Sequence, residues 1–587
     1  MGVVNNMAYI VRVNMTEGTV KFEEVPAKYR TLGGRALTSR IVYDEVPATC
    51  HPLGPNNKVV FAPGIVTGTS APSSGRISVG GKSPLTGGIK EANAGTPAAQ
   101  SLAKMGVKAI IVEGRPREKG QFFLLRLNKD GGSLEPAGDL VGLGLYDFAR
   151  RVKERYGDVD FAVTGPAGER FLSMAGVCFN DKDDRPSRYA GRGGLGAVMG
   201  AKGLKGIVID SSGAPGVQVA DPDLFKAGQR KLVEALREHG VTKPGGTLNA
   251  YGTAALINVL NEAGGLPTRN FSAGRFEGAG KIAGETIAEI ISRRKGQGAT
   301  GHACHPGCII QCSNIWARPD GSEHVSCLEY ESVWALGANC GIDDIDAVAE
   351  LIWICNDTGL DTIEAGVTLG VAMEAGLIKF GDAQGAINLL KECAKGTPLG
   401  YIIGHGAAFT GRAFGVTRVP AVKGQGMPAY EPRAVKGIGI TYMTSTMGAD
   451  HTAGYTIAPE ILSVGGKADP LSPVGKAEMS RDFQATTAFI DSSGYCLFTT
   501  FALLDIPTGM EGMVETVNGV LGTAWTTEDV VRVGKDILKQ ERSFNEAAGL
   551  GKAHDRPPEF MRYEPLPPHN SVYDVPDEEL DKVFGEM

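Results

Sequence analysis

Three cysteines at four-residue spacing, Cys304-His-Pro-Gly-Cys308-Ile-Ile-Gln-Cys312, are the residues of this chain best placed to do chemistry. Thiolates that close together usually hold a metal centre, and a distant fourth completes four-fold ligation of an iron–sulfur cluster. Cys496, in Asp491-Ser-Ser-Gly-Tyr-Cys496, is the candidate fourth. Positions i, i+4 and i+8 also share one helix face, so a stripe of structural thiols is the plainer alternative. Pro306-Gly307 inside the motif spoils a regular helix and favours a loop wrapped around a centre. Zinc competes with iron–sulfur because His302 and His305 are adjacent ligand types. The first chemistry implied is electron transfer.

The elements that hold these thiols must come from more than one core, since 587 residues call for two or three domains. A net charge of −7 argues against a general nucleic-acid binder or a broad membrane-binding surface. No apolar run is long enough to span a bilayer, and Met1 to Asn14 lacks the regions of a secretory signal. Ten cysteines in a chain this long do not form a disulfide scaffold; they read as metal-binding in a reducing cytoplasm.

Residues 1–210 read as β-rich, with strands predicted at Val59–Ala62, Ala109–Glu113 and Gly206–Asp210 between Gly, Pro and Ser clusters. Helical periodicity begins at Asp221-Pro222 and runs to about Glu238. It returns at Asp344–Cys355, Thr362–Ala375 and Thr527–Glu541. The class is α+β: a β-rich domain near 1–210, then two mainly helical domains near 211–420 and 421–587. The Pro-rich, acidic tail reads as an extended surface wrap.

One hexapeptide shape occurs twice, as Asn356-Asp-Thr-Gly-Leu-Asp361 and Asp491-Ser-Ser-Gly-Tyr-Cys496. Gly359 and Gly494 are placed to take the left-handed conformation that ends a helix. Asp361 is placed to cap the next helix, with Glu364 as capping-box partner. The plain reading is two ordinary helix corners. The functional reading is two similar corners facing two similar halves of one ligand, with carboxylates accepting from a pterin-like heterocycle. Three glycine-bearing loops, Ser73–Arg76, Asn93–Thr96 and Arg188–Gly196, add arginines and freed N–H groups suited to phosphate oxygens. The last contains a nominal G-x-G-x-x-G, but nothing resembling a strand runs into it, so its dinucleotide-fold context is poor.

Nearly end to end, these segments resemble the tungsten-containing aldehyde ferredoxin oxidoreductase family. The likeness is carried by Gly64–Gly95, Gly191–Lys202, Glu329–Asn339 and Ile490–Phe501. It implies a bis-pterin tungsten cofactor with no protein ligand to the metal, a nearby [4Fe-4S] cluster, and a double-sheet N-terminal domain as the cofactor's base. Tungsten and molybdenum are not distinguished by it. Arg76, Asn93, Gly95, Arg188 and Tyr189 fall on cofactor-contacting positions, and the backbone carbonyls of Asn93 and Tyr189 on a magnesium site. Asn356, Leu360 and Asp361 match one pterin motif; Asp491, Tyr495 and Cys496 match the other. Glu331 and His451 match two acid/base residues.

There are four departures. The cysteine spacing is x3/x3 instead of x2/x3, Asn356 replaces an Asp, and Ala453 replaces a Lys. Glu350-Leu-Ile-Trp353 lacks the His of a Glu-x-x-His pair, which argues against a metal-bridged homodimer.

The resemblance implies oxidation of aldehydes to carboxylic acids, with electrons passing singly through the cluster to ferredoxin or an iron–sulfur partner subunit. Glu331, in an apolar neighbourhood, is expected to be neutral, and His451 to titrate near neutrality as proton donor or acceptor at the substrate oxygen. The competing readings are the catalytic subunit of a tungsten-type aromatic acyl-CoA reductase and a non-catalytic zinc- or cluster-stabilised scaffold. Metal quantitation on natively produced protein separates the last from the others. One tungsten or molybdenum and about four irons per chain are expected; zinc alone would exclude both enzyme readings.

Overall fold

The computed structural model describes residues 8–585. The first sheet contains β1 (Tyr9–Asn14), β2 (Thr19–Glu24), β3 (Val59–Pro63), β4 (Arg76–Lys82), β5 (Ile89–Gly95) and β6 (Val107–Glu113), in the order β2-β1-β6-β3-β4-β5. The second contains β7 (Phe123–Asn128), β8 (Gly131–Pro136), β9 (Asp160–Thr164), β10 (Val177–Asn180), β11 (Pro186–Ala190) and β12 (Leu204–Asp210), in the order β11-β10-β9-β12-β7-β8. Only β1–β6 and β12–β7 pair in parallel.

Side chains alternate between the two faces of a strand, and the two sheets use that alternation in the same way. Val11, Val13, Phe61 and Val79 of the first sheet meet Leu125, Phe179, Ile207 and Ile209 of the second in one buried layer. The opposite face of the first sheet, through Val60 and Ile111, is covered by the helix Gly34–Glu45. The opposite face of the second, through Phe161 and Val208, is covered by the helix Leu145–Tyr156. The expected double-sheet domain is present, and the rest of the chain is mainly helical, with a three-stranded sheet (Ala299–His302, Ser313–Ala317, Glu323–Ser326) flanking the cysteine segment and a two-stranded one at 421–426.

The predicted helices form where the periodicity places them. Asp221 caps Pro222–Glu238 by accepting from Leu224 N–H at 3.0 Å. Asp344 and Asp361 cap Ile345–Thr358 and Thr362–Glu374. Thr527–Ala547 opens on a Thr526/Asp529 capping box. No helix among the described residues is long and apolar enough to cross a membrane.

Three expectations are corrected. A strand, β11, does run into the Gly191 loop, and the helix Leu195–Ala201 leaves it. β11 is an edge strand opening on Pro186, a position where Pro costs no ladder bond, so it lacks an apolar signature. Glu364 does not close a capping box. Its carboxylate accepts from Ala407 N–H at 3.0 Å and Gly426 N–H at 2.8 Å, tying distant segments to the corner. Finally, the tail is not only a surface wrap. It buries Leu566, Tyr573 and Val575 and ends in the helix Asp577–Gly585, which buries Leu580 and Val583.

Both helix corners are fastened to the β domain by backbone hydrogen bonds. Ile65 and Val66 N–H donate to Ser492 and Ser493 carbonyls at 3.2 and 2.9 Å. On the other side Gly176 N–H donates to the Gly359 carbonyl at 3.0 Å, and Asp361 N–H to the Met174 carbonyl at 2.9 Å. A buried ion pair reinforces the first contact: Arg35 donates through Nε and Nη2 to Glu541 at 2.9 and 2.8 Å. Ser39 and Thr446 hydroxyls complete the Glu541 carboxylate at 2.8 and 2.6 Å. Glu541→Ala leaves a buried guanidinium without its carboxylate, which costs about 3–5 kcal/mol. We expect a clearly lower urea midpoint for this variant, whereas Glu546→Ala removes an exposed carboxylate and leaves Arg542 its buried partner Asp555, so its midpoint stays close to that of the parent chain.

Candidate active site and cluster cavity

A cavity of about 340 Å³ opens between the β domain and both helical regions. The β domain contributes Arg76, Asn93, Gly95, Arg188 and Tyr189, and the first corner contributes Asn356, Leu360 and Asp361. Glu331, His451, Cys304, Cys308, Cys312 and Cys496 line the same space. A neighbouring cavity of about 180 Å³ shares Arg76, Asn93, Tyr189 and His451 and adds Asp491. Of the predicted site residues, only Tyr495 turns its side chain away, its buried hydroxyl lying 2.7 Å from Thr516 Oγ1.

The cysteine segment is a loop, as Pro306-Gly307 implies, with Gly307 at φ 85°. Ser73 stitches it to the distant thiol. Its N–H donates to the Gly307 carbonyl at 3.0 Å, its Oγ accepts from Ile309 N–H at 3.1 Å, and its carbonyl accepts from Cys496 N–H at 2.9 Å. The Cys304 and Cys308 sulfurs lie within 4.8 Å of each other, and their interaction holds the Cys304 thiol well below its ordinary pKa and Cys308 well above. Gly95 makes room for the loop, because a Cβ there would stand 2.9 Å from Cys304 Sγ. His305 has both nitrogens engaged: Nε2 accepts from Gly75 N–H at 3.2 Å and Nδ1 lies 2.8 Å from the Pro306 carbonyl. His302 turns Nε2 to Asp183 at 2.8 Å. His305 thus has no free nitrogen, whereas His302 keeps Nδ1 unpartnered on the cavity wall; with four thiols lining the same space the donor set is mainly sulfur, which suits a cluster. Cys327, a fifth thiol on the cavity wall, donates to the Ser187 carbonyl at 3.2 Å.

The two corners end as the repeated hexapeptide implies. Gly359 and Gly494 both take the left-handed conformation, at φ 84° and 95°. Each corner acid is met by a buried arginine that the sequence reading missed. Arg192 Nε donates to Asp361 at 3.1 Å and Arg35 Nη1 to Asp491 at 3.4 Å. A shared signal exists in hindsight, since both arginines follow a glycine at a helix start, Gly34-Arg35 and Gly191-Arg192. Burial, reinforced by Glu91, pushes Asp491 up to about 8 against the pull of Arg35 and Arg76.

Glu331 lies in the first turn of the helix Tyr330–Leu336, and His451 in the turn after Asp450. His451 Nε2 stands 3.4 Å from Glu331 Oε1, long for a hydrogen bond. The other carboxylate oxygen accepts from Ala429 N–H at 2.9 Å. Ala429 belongs to the Gly/Pro-rich stretch 423–433, most of which is buried. Burial pushes Glu331 up to about 8 and His451 down to about 4, so both are neutral at pH 7. His451 thus does not titrate near neutrality: it is desolvated, and Arg192 and Lys90 oppose a positive imidazole. Asp450 behaves oppositely. Burial disfavours its charge, but Lys90 and Arg192 outweigh that and hold it well below the usual range.

Five buried polar atoms on the cavity wall have no hydrogen-bond partner: Arg188 Nε, His302 Nδ1, Glu331 Oε1, Asn356 Nδ2 and His451 Nδ1. Burying such groups unpaired is costly, so a polar ligand fits this space. The residues present fit a large phosphate-bearing heterocycle beside a thiolate-bound cluster.

Two family models match the chain. One, for the N-terminal domain of aldehyde ferredoxin oxidoreductase, covers residues 10–211, and one for its domains 2 and 3 covers residues 228–587. The tungsten-containing aldehyde ferredoxin oxidoreductase of Pyrococcus horikoshii is 38% identical over 95% of this chain and 92% of its own length. That of Pyrococcus furiosus is 36% identical over 96% and 92%. The chain belongs to the aldehyde ferredoxin oxidoreductase family. A more distant relative of this family member, the WOR-like subunit of an aliphatic sulfonate oxidoreductase from Pyrococcus furiosus, is 25% identical over 95% and 89%. The BamBC active-site complex of benzoyl coenzyme A reductase, solved with 1,5-dienoyl-CoA, superposes with a TM-score of 0.79 over 98% of this chain and 93% of its own. It is 17% identical, a likeness of fold.

The Gly95–Cys304 contact in this family member is directly testable. Gly95→Val forces the cysteine loop outward, and iron and acid-labile sulfide per chain should fall at least twofold while far-ultraviolet circular dichroism stays unchanged. Full cluster content would show that the loop yields freely.

Proposed function

We propose that this chain oxidises aldehydes to carboxylic acids at a bis-pterin tungsten cofactor and passes the electrons through a [4Fe-4S] cluster. The acceptor is ferredoxin or an iron–sulfur partner subunit, in the cytoplasm. The observation that carries the reading is the convergence of the neutral Glu331–His451 pair, both pterin-type corners and four thiols on one cavity. Arg76 and Arg188 would meet the pterin phosphates, with the Asn93 and Tyr189 carbonyls on magnesium. Asp361 and Asp491 would meet the heterocycles, with Asn356 offering an amide in place of a carboxylate. Cys304, Cys308, Cys312 and Cys496 would hold the cluster. When bound, the tungsten centre supplies oxygen delivery and two-electron acceptance.

The balanced change is RCHO plus water to RCOOH, two protons and two electrons. At pH 7 Glu331 carries a proton and lies within the cavity, so it can donate a hydrogen bond to the aldehyde oxygen as negative charge develops there. Neutral His451 has a free Nδ1 lone pair or N–H and can take up a proton released from water. The imidazolium formed would stand 3.8 Å from the Asp450 carboxylate, itself kept ionised by Lys90 and Arg192. The apolar packing of Tyr330, Val333 and Trp334 around Glu331 excludes bulk water from this exchange.

A metal-bridged homodimer is not part of the reading. Glu350 lies 3.1 Å from His324 of the same chain, and Trp353 stacks on Tyr146 at 5.4 Å.

Two experiments test the reading. His451→Asn should retain tungsten and iron and lose at least about a hundredfold in aldehyde-dependent dye reduction; undiminished turnover would remove His451 from the mechanism. For the parent enzyme, kcat/KM should hold between about pH 5 and 7 and decline above about 8 as Glu331 loses its proton. Glu331→Gln, which cannot ionise, should lose that alkaline limb along with much of its rate.

A further inference from the structure

The wall beside His451 is aromatic and internally braced. Tyr330, Tyr430, Tyr455 and Phe498 line the same cavity as Glu331 and His451. The Tyr430 ring centre lies 6.1 Å from the His451 imidazole and 5.4 Å from Tyr330, and meets Tyr455 edge-on at 5.7 Å. Tyr455 in turn meets Phe501 edge-on at 6.1 Å, and Phe501 stacks on Phe498 at 5.9 Å. Each ring is held by another ring, so the wall cannot collapse around a small guest. Phe498 lies two residues beyond Cys496, so the segment that carries the fourth thiol also shapes this chamber.

The hydroxyls on this wall are not all spent. Tyr330 donates to the Ala429 carbonyl at 2.7 Å and is satisfied. Tyr430 and Tyr455 hydroxyls lie 2.7 Å apart, and among the described residues neither has another partner. Two hydroxyls hold two protons, and only one can sit between them. The second O–H has no acceptor in the protein, although both rings are buried. Burial pushes both phenols well above their ordinary value, so both protons stay on. A buried unmet donor is costly, and here it lies on a ring beside the acid/base pair.

Resting on the aldehyde-oxidation reading above, we propose that the chamber takes an aryl aldehyde bearing an oxygen substituent on its ring. The ring lies against Tyr430, Tyr455 and Phe498, and the substituent is bound by the Tyr430–Tyr455 hydroxyl pair. Ring–ring contacts of this kind are each worth a factor of roughly 2 to 12, and one neutral hydrogen bond a similar factor. A two-carbon aldehyde uses neither.

The test is a comparison of kcat/KM for 4-hydroxybenzaldehyde, benzaldehyde and acetaldehyde, with natively produced holoenzyme and a viologen acceptor. We expect benzaldehyde to exceed acetaldehyde more than tenfold, and 4-hydroxybenzaldehyde to exceed benzaldehyde about threefold or more. Because either phenol left alone keeps a free O–H, the double variant Tyr430→Phe/Tyr455→Phe should bring the hydroxybenzaldehyde-to-benzaldehyde ratio to about one, and Phe498→Ala should lower the benzaldehyde-to-acetaldehyde ratio. Should the double variant fail to fold, the Phe498→Ala ratio still decides whether the aromatic wall binds the ring. Acetaldehyde turned over as well as benzaldehyde, or ratios untouched by these variants, would overturn the proposal and leave aldehyde oxidation standing. No oxidation of any aldehyde by tungsten-loaded enzyme would overturn the parent reading and this one together.

Discussion

The site depends on how closely the β domain's backbone approaches the two helix corners. At one corner a Cβ on Gly64 would fall 2.1 Å from Gly494 Cα; at the other, a Cβ on Gly165 would fall 2.4 Å from the Thr358 carbonyl and 3.0 Å from Gly359 Cα. No side chain fits in either contact, so strand-end backbone bonds directly to corner backbone. That fixes where Asp361, Asp491 and Cys496 stand relative to Arg76, Asn93, Arg188 and Tyr189. A loose interface filled by side chains would leave the same residues present but not held to the fraction of an ångström that a rigid cofactor demands.

Such an approach brings charge into the interior, and the fold answers with buried arginine–carboxylate pairs. Arg35 is shared between Glu541 and Asp491, and Arg192 between Asp361 and Glu364. The sharing is unequal. Arg35 commits two nitrogens to Glu541 and reaches Asp491 with one at 3.4 Å, whereas Arg192 places Nε 3.1 Å from Asp361. Sequence-similar corners are therefore electrostatically distinct, and Glu91 widens the difference by sitting on the Asp491 side. Two halves of one ligand bound here would meet an acid held close to its arginine at one end and one held more loosely at the other.

Much of this was legible from local pattern. Caps at Asp221, Asp344 and Asp361, the left-handed glycines 359 and 494, and the break at Pro306-Gly307 all follow from rules that span fewer than about ten residues. What stayed hidden is long-range. Arg35 and Glu541 are separated by most of the chain, and Arg192 reaches Asp361 across a domain junction; the glycine before each arginine is the only local hint, and it does not name the partner. β11 was hidden because an edge strand opening with Pro and carrying Ser, Arg and Tyr has no apolar alternation. Glu364 was misread because the capping-box pattern is local, whereas its carboxylate is claimed by Ala407 and Gly426 from outside. Cys327 carries no spacing signal at all, since it joins the other thiols only through the fold.

The acid/base pair shows the same limit from the side of electrostatics. An imidazole's ordinary pKa suggests that His451 is the group that changes charge near neutrality. Its surroundings decide otherwise: desolvation disfavours the imidazolium, and Arg192 and Lys90 work against the pull of Asp450 in the other direction. Glu331, among Tyr330, Val333 and Trp334 with one backbone N–H for company, keeps its proton instead. The roles the residue types suggest are thus exchanged. In the proposed mechanism the carboxyl would be the resident acid and the imidazole the resident base, each set by desolvation that outweighs the partners left to it. A site that must release protons while shedding electrons benefits from that arrangement, because both side chains begin neutral and no buried charge has to be undone before the aldehyde binds.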